Sequence, residues 1–237
     1  MGDFYIAENE KWYPLGVTEV RGGYHFATTA GRESCALVLF KAGKEQPFQK
    51  ISFRKEDRVG DVWNMTLMGT DFRGLEYAYE ADGELMADGC GTAFRGHERW
   101  GNLKQVKQVR KTPLCQEEAD WEGDHPLEIP YQDTVIYRLH VRGFTKHLSS
   151  GVQERGTFAA IAEKIPYLKE LGVTAVELLP PSEFEEVMMP ERADGNPYGK
   201  DEPTGKLNYW GYTKGYSFAP KASFCSGEEK APAKEFR

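Results

Sequence analysis

Apolar and polar positions alternate in short runs over the first hundred residues, as in YHFAT at 24 to 28 and SCALVLF at 34 to 40. A two-residue period of this kind predicts strands. Further runs at Gln49 to Phe53, Val62 to Leu67 and Leu75 to Glu80 follow at regular spacing, divided by turn material. In the last of them Leu75, Tyr77 and Tyr79 share one face. Several such strands with no helical period between them predict an antiparallel β-sandwich. The texture changes at Thr134. TVIYRLHVRGF at 134 to 144 is predicted as a strand. Phe158, Ile161, Ile165, Leu168 and Leu171 then recur at helical steps, with Gly172 placed to end the helix and Pro166 expected to kink it or start a fresh turn. VTAVELLP at 173 to 180 predicts a second strand, apolar enough to be buried on both faces. Strand, helix and strand make a βαβ unit with parallel strands.

Residues 101 to 130 read as a polar connection. Its basic stretch at 104 to 111 and its acidic one at 117 to 124 are expected to be solvated surface. A long loop runs from Pro181 to about Gly227, and loops of that length are usually functional or disordered. Within it, NYWGYTKGYSFAP at 208 to 220 gathers aromatic rings around glycines. Beyond the carboxyl end of a parallel strand, such rings sit where α/β enzymes bind ligands. Their faces suit the C–H face of a sugar.

The chain has 30 Lys and Arg against 37 Asp and Glu, a net charge of −7, which disfavours a nucleic-acid partner. A mean hydropathy of −0.61 and the lack of a long apolar run argue against a membrane partner. The N-terminus has acids and aromatics where an export signal has a basic start and an apolar run, so a cytoplasmic location is expected. Cys35, Cys90, Cys115 and Cys225 are scattered, and the five histidines form no ligand spacing. Neither a metal nor another cofactor is predicted. Among the acids near the second strand, Glu177 is expected to be a structural residue of a buried strand, and Glu183, Glu185 and Glu186 a solvated loop edge. Trp63, Tyr77 and Tyr79 could form an aromatic binding platform, but alternating aromatics are more often core.

VIYRLHVRGFT, IPYLKELGVTAVELLP and NYWGYTKGYSFAP, in that order, resemble the start of the catalytic barrel in the α-amylase family of glycoside hydrolases. HVRGFT and NYWGY are most similar to the pullulanase, isoamylase and glycogen debranching type. YPLGVTEVRGGYHFAT, DVWNMTL and GLEYAYEADG resemble the sandwich that precedes that barrel, although MADGCGTAF stands where relatives carry a DPYA-like segment.

The resemblance implies a multidomain β plus α/β protein. Residues 1–112 would be an immunoglobulin-like, carbohydrate-binding-module-type β-sandwich, 113–130 a connection, and 131–237 the first βα units of a truncated TIM (β/α)8 barrel. It implies a retaining hydrolase of α-1,6-glucosidic branch linkages in glycogen, amylopectin or pullulan, with α-glucan as partner. The family's catalytic carboxylates follow later barrel strands, so no catalytic residue is assigned here and the fragment alone is expected to be inactive. By the same carry-over Tyr212 stacks under a glucose ring, Trp210, Asn208 and Tyr209 line the pocket, and His140 and Arg142 support its floor. Two alternatives stay open: a non-catalytic glucan-binding or regulatory module, and an α-1,4-acting amylase or branching enzyme.

Overall fold

The computed structural model describes residues 4–7, 13–31, 33–69, 71–115, 121, 123–189, 203–213, 215–227 and 231–237. The expected acidic surface at 117 to 124 falls largely outside them. The described residues are mostly β-sheet with a few short helices, grouped in two compact units. One comprises residues 1–96, 107–117 and 216–218, the other 97–106, 118–215 and 219–237.

The first unit contains nine strands: β1 (Tyr5–Ala7), β2 (Gly16–Val20), β3 (Gly23–Thr28), β4 (Cys35–Lys41), β5 (Pro47–Ser52), β6 (Trp63–Met68), β7 (Leu75–Ala81), β8 (Glu84–Met86) and β9 (Thr112–Pro113). They form two antiparallel sheets, ordered β1-β6-β3-β2 and β5-β4-β7-β8 with β9 against β7. Phe26, Trp63, Met65 and Leu67 of the first sheet meet Leu37, Leu39, Tyr77 and Tyr79 of the second in one core. The opposite face of β4 and β7 is buried too, with Val38, Phe40 and Ala78 packed against Val109. Register pairs Leu37 with Tyr79 and Leu39 with Tyr77. Such aliphatic–aromatic partners are a main source of sheet stability. The β7–β8 hairpin turns through Asp82 and Gly83, both at positive φ (51° and 88°), as a tight turn matching strand twist requires. Trp63, Tyr77 and Tyr79 are all core residues, so none presents a glucan platform.

The basic stretch does not lie wholly on solvated surface. Arg110 is buried, and the Lys111 ammonium pairs with Glu76 at 3.4 Å and donates to the Lys44 carbonyl at 2.7 Å. Residues that follow a strand into the sheet's flank are covered whatever their charge, provided each cation finds a partner.

In the second unit the predicted strand at 134 to 144 divides into β10 (Ile136–Leu139) and a short helix, α1 (Val141–Thr145). The cause is local: the His140 imidazole accepts the Gly143 N–H and caps the helix. The next apolar stripe also divides, into α2 (Phe158–Glu163) and α3 (Ile165–Glu170), with Pro166 in the first turn of the second helix. This is the fresh helical turn expected at Pro166, and the break puts Phe158 and Leu168 inside while Ile165 and Leu171 stay exposed. Gly172 follows at φ +79°.

β11 (Ala175–Leu178) pairs in parallel with β10, Ile136 opposite Ala175 and Leu139 opposite Leu178. β11 is not buried on both faces, since Val176 and Glu177 are exposed. A two-stranded sheet has no inner strand, so each member keeps an open edge. The stretch from Pro181 is not one loop: it holds β12 (Ser182–Phe184) and β13 (Gly215–Pro220), which pair, and the chain ends on α4 (Pro232–Phe236). No helix among the described residues is long and apolar enough to cross a membrane.

Candidate functional site

β10 and β11 end side by side at Leu139 and Leu178, and the chain leaves both at the same end of the sheet. His140 follows directly. Its Nδ1 accepts from Gly143 N at 3.0 Å, so that nitrogen is bare, and Nε2 carries the proton toward the Tyr209 carbonyl at 2.7 Å. The Tyr209 ring stacks on the imidazole, centroids 4.3 Å apart and planes 9° from parallel, and Trp210 stands edge-on to both rings. Thus the first strand's exit holds the aromatic loop through one ring.

Asn208 fixes the loop from within. Its Oδ1 accepts from Gly211 N, its Nδ2 donates to Thr213 Oγ1 and the Glu185 carbonyl, and its own N–H reaches the Glu186 carbonyl at 2.7 Å. Gly211 has φ +78°, and a Cβ there would lie 2.6 Å from the Phe184 ring, so the position demands glycine twice over. Tyr212 leaves the loop outward, 61% exposed, with its hydroxyl accepting from Arg138 at 2.6 Å. Arg138 is in turn paired with Glu177. Glu177 therefore sits on an exposed strand face, not in a buried one. Trp210 is 57% exposed, whereas Tyr209 is more covered. Arg142 lies under the loop, its guanidinium 5.0 Å from the Trp100 ring centre.

Beneath these residues is a group that sequence reading placed on the surface. Glu183 and Glu186 are buried, and only Glu185 of the three acids is exposed. They converge on Lys221, whose side chain is fully covered. Its ammonium donates to Glu183 Oε1 and to the Phe184 carbonyl, each at 3.0 Å, and pairs with Glu186. Glu183 also accepts from Ala222 N, and Glu186 from Gly101 N. Phe184, Phe224 and Trp100 surround the cation, with Phe184 nearest at 4.1 Å. Trp100, Lys221 and Phe224 were not singled out from sequence. Trp100 lies more than a hundred residues before Lys221 and Phe224 along the chain, and only the i, i+3 spacing of Glu183 and Glu186 hinted that two acids share a neighbourhood.

Burial lowers the His140 pKa from the ordinary histidine value; the bond to the Tyr209 carbonyl opposes this and the nearby Arg142 cation adds to it. A depressed folded value means the unfolded chain binds the proton first. The contribution of neutral His140 is therefore intact above roughly pH 6.5 and is lost as pH falls below it. The denaturant midpoint of this unit should drop between pH 7.5 and 5, with the drop reduced in His140→Asn, which can still cap α1. An NMR titration giving His140 a value above the ordinary one would refute this account.

No family model matches the chain. Among curated proteins it is 32% identical to isoamylase 1, chloroplastic, of Oryza sativa over 90% of its own length and 28% of that protein. It is 35% identical to isoamylase 1, chloroplastic, of Arabidopsis thaliana over 90% of its length and 29% of the relative. With a glycogen debranching enzyme of Yersinia pestis the figures are 32%, 88% and 33%. Of solved structures, pullulanase type I from Bacillus subtilis, complexed with maltose, aligns with a TM-score of 0.66 at 25% identity, over 95% of this chain and 31% of that one. A Paenibacillus barengoltzii pullulanase in complex with maltohexaose and α-cyclodextrin gives 0.66 at 21% identity, over 98% and 35%. The chain thus spans about a third or less of the relatives it matches.

Proposed function

We propose, from its similarity over nine-tenths of its length to the N-terminal portion of isoamylases and glycogen debranching enzymes, that this chain is the front of an α-1,6-glucan debranching glycoside hydrolase. In this reading the first unit is the immunoglobulin-like sandwich, and β10, the α2–α3 segment and β11 open a (β/α)8 barrel. The partner is α-glucan, met in glycogen, amylopectin or pullulan, and the location is cytoplasmic or, as the names of the plant relatives suggest, an organelle. The catalytic carboxylates belong to later barrel strands.

The observation that carries the site assignment is the pair of exposed rings, Trp210 and Tyr212, fixed beyond the ends of two parallel strands. Ligands of α/β proteins bind at that end. Tyr212, oriented by Arg138, offers a ring face to a glucose unit, and Trp210 offers a second. Tyr209, Asn208, His140 and Arg142 act by holding those two in place.

Titrating maltotetraose into the chain should give saturable binding, weakened roughly tenfold, or about 1.4 kcal/mol, by Trp210→Ala. A stacked ring contributes on that order. Unchanged affinity in the variant would remove Trp210 from the site. The activity itself is tested on the native gene product. Release of reducing ends from pullulan and glycogen by a longer product supports the hydrolase, and a native product that binds glucan without cleaving it favours a binding module.

A further inference from the structure

We propose that Arg142, Lys146 and Arg155 form a binding site for a phosphate group, met as the free ion or as an ester on a sugar. Arg142 and Lys146 are four residues apart across α1, and the Lys146 N–H closes the turn on the Arg142 carbonyl at 3.1 Å, so both side chains leave the same face. Like charges at that spacing oppose the helix. The third cation arrives from the loop, one residue before Gly156.

Gly156 seats the loop that carries Arg155 against the stems of Arg142 and Lys146. It is buried at φ +85°, and its N–H donates to Thr145 Oγ1 at 2.8 Å, which fastens the loop to the end of α1. A Cβ at this position would stand 3.1 Å from Lys146 Cδ and 3.3 Å from Arg142 Cγ. With no side chain there, both cationic stems lie against the loop that carries Arg155.

Among the described residues no ion pair joins Arg142, Lys146 or Arg155 to a carboxylate, although the chain has 37 acids for 30 bases. The Glu186 carboxylate, which together with Tyr209 favours the charged form of Arg142, has its oxygens engaged by Lys221 and Gly101 N. The Lys146 ammonium is held below the usual lysine value, first by Arg142, then by burial and Arg155. A dianion among the three would relieve that repulsion. The Arg142 guanidinium stands 5.0 Å from the Trp100 ring centre, and its planar N–H fork has the geometry that matches phosphate.

The test is calorimetric titration of the 237-residue chain with inorganic phosphate at fixed ionic strength. Saturable single-site binding is expected, weakened at least tenfold in Lys146→Gln/Arg155→Gln and weakened also by added potassium chloride. Circular dichroism confirms that the variant folds, and Arg155→Gln alone, expected to weaken binding at least threefold, replaces it if it does not. Absence of saturable binding, or equal affinity in the folded variant, overturns the proposal. Maltotriose bearing a 6-phosphate identifies the source. Binding at least tenfold tighter than both inorganic phosphate and plain maltotriose assigns the site to a sugar ester, and affinity equal to that of inorganic phosphate assigns it to the free ion. The assignment does not rest on the debranching reading, since inorganic phosphate alone decides it.

Discussion

Lys221→Met should destabilise the second unit by about 3–5 kcal/mol, the cost of breaking a buried ion network by removing one partner. Methionine fits the space between Phe184, Phe224 and Trp100, so the loss comes from charge and not from a cavity. Glu183 and Glu186 would keep their carboxylates out of water without the ammonium that both of them face, though Gly101 N and Ala222 N still donate to them. Adding Glu183→Gln and Glu186→Gln to the same chain should restore much of the loss, because the buried charge goes with its partner. Urea unfolding followed by tryptophan fluorescence measures both. A single-variant effect below about 1 kcal/mol would mean that the carboxylates reach water, contrary to the burial described. The loop is expected to loosen as well, because the Glu186 carbonyl holds Asn208 N and its carboxylate holds Gly101 N.

Trp63→Ala should cost the first unit about 3–5 kcal/mol, in the range for truncating a large aromatic in a close-packed core. Trp63 is 1% exposed, donates its indole N–H to the Gly31 carbonyl at 3.0 Å and has the Arg58 guanidinium over its ring. Trp63→Phe keeps a ring and loses the hydrogen bond, so a smaller loss is expected, roughly 1–2 kcal/mol. Because Trp63 faces the core, the phenylalanine variant should leave maltotetraose affinity unchanged. A marked fall in affinity with the fold intact would reinstate this residue as a glucan contact.

β3 to β7 were legible as short strand-forming runs bounded by turn material, whereas β1, β2, β8 and β9 were not marked out; Leu75, Tyr77 and Tyr79 lie in the core together. The β10–β11 unit was legible from its parallel-strand texture and the helical steps between. Its details were not. A histidine that caps a helix reads, in sequence, like one more strand residue, so α1 was taken into the strand. The acids after β11 were misjudged for a related reason. Charge predicts exposure only when no counter-charge arrives from elsewhere, and Lys221 comes from 38 residues beyond Glu183.

By itself the sequence determined the periodicities, hence the two textures of the chain, and the local motif in which glycine at 211 permits the aromatic turn. Composition also set the acidic balance. Only the tertiary structure decided which charges are buried, which rings face out, and which loop is seated against the cations of α1. Periodicity is a property of neighbouring residues and survives in one dimension. Burial and electrostatic pairing depend on what the rest of the chain brings to the same place, and that is fixed by long-range contacts alone.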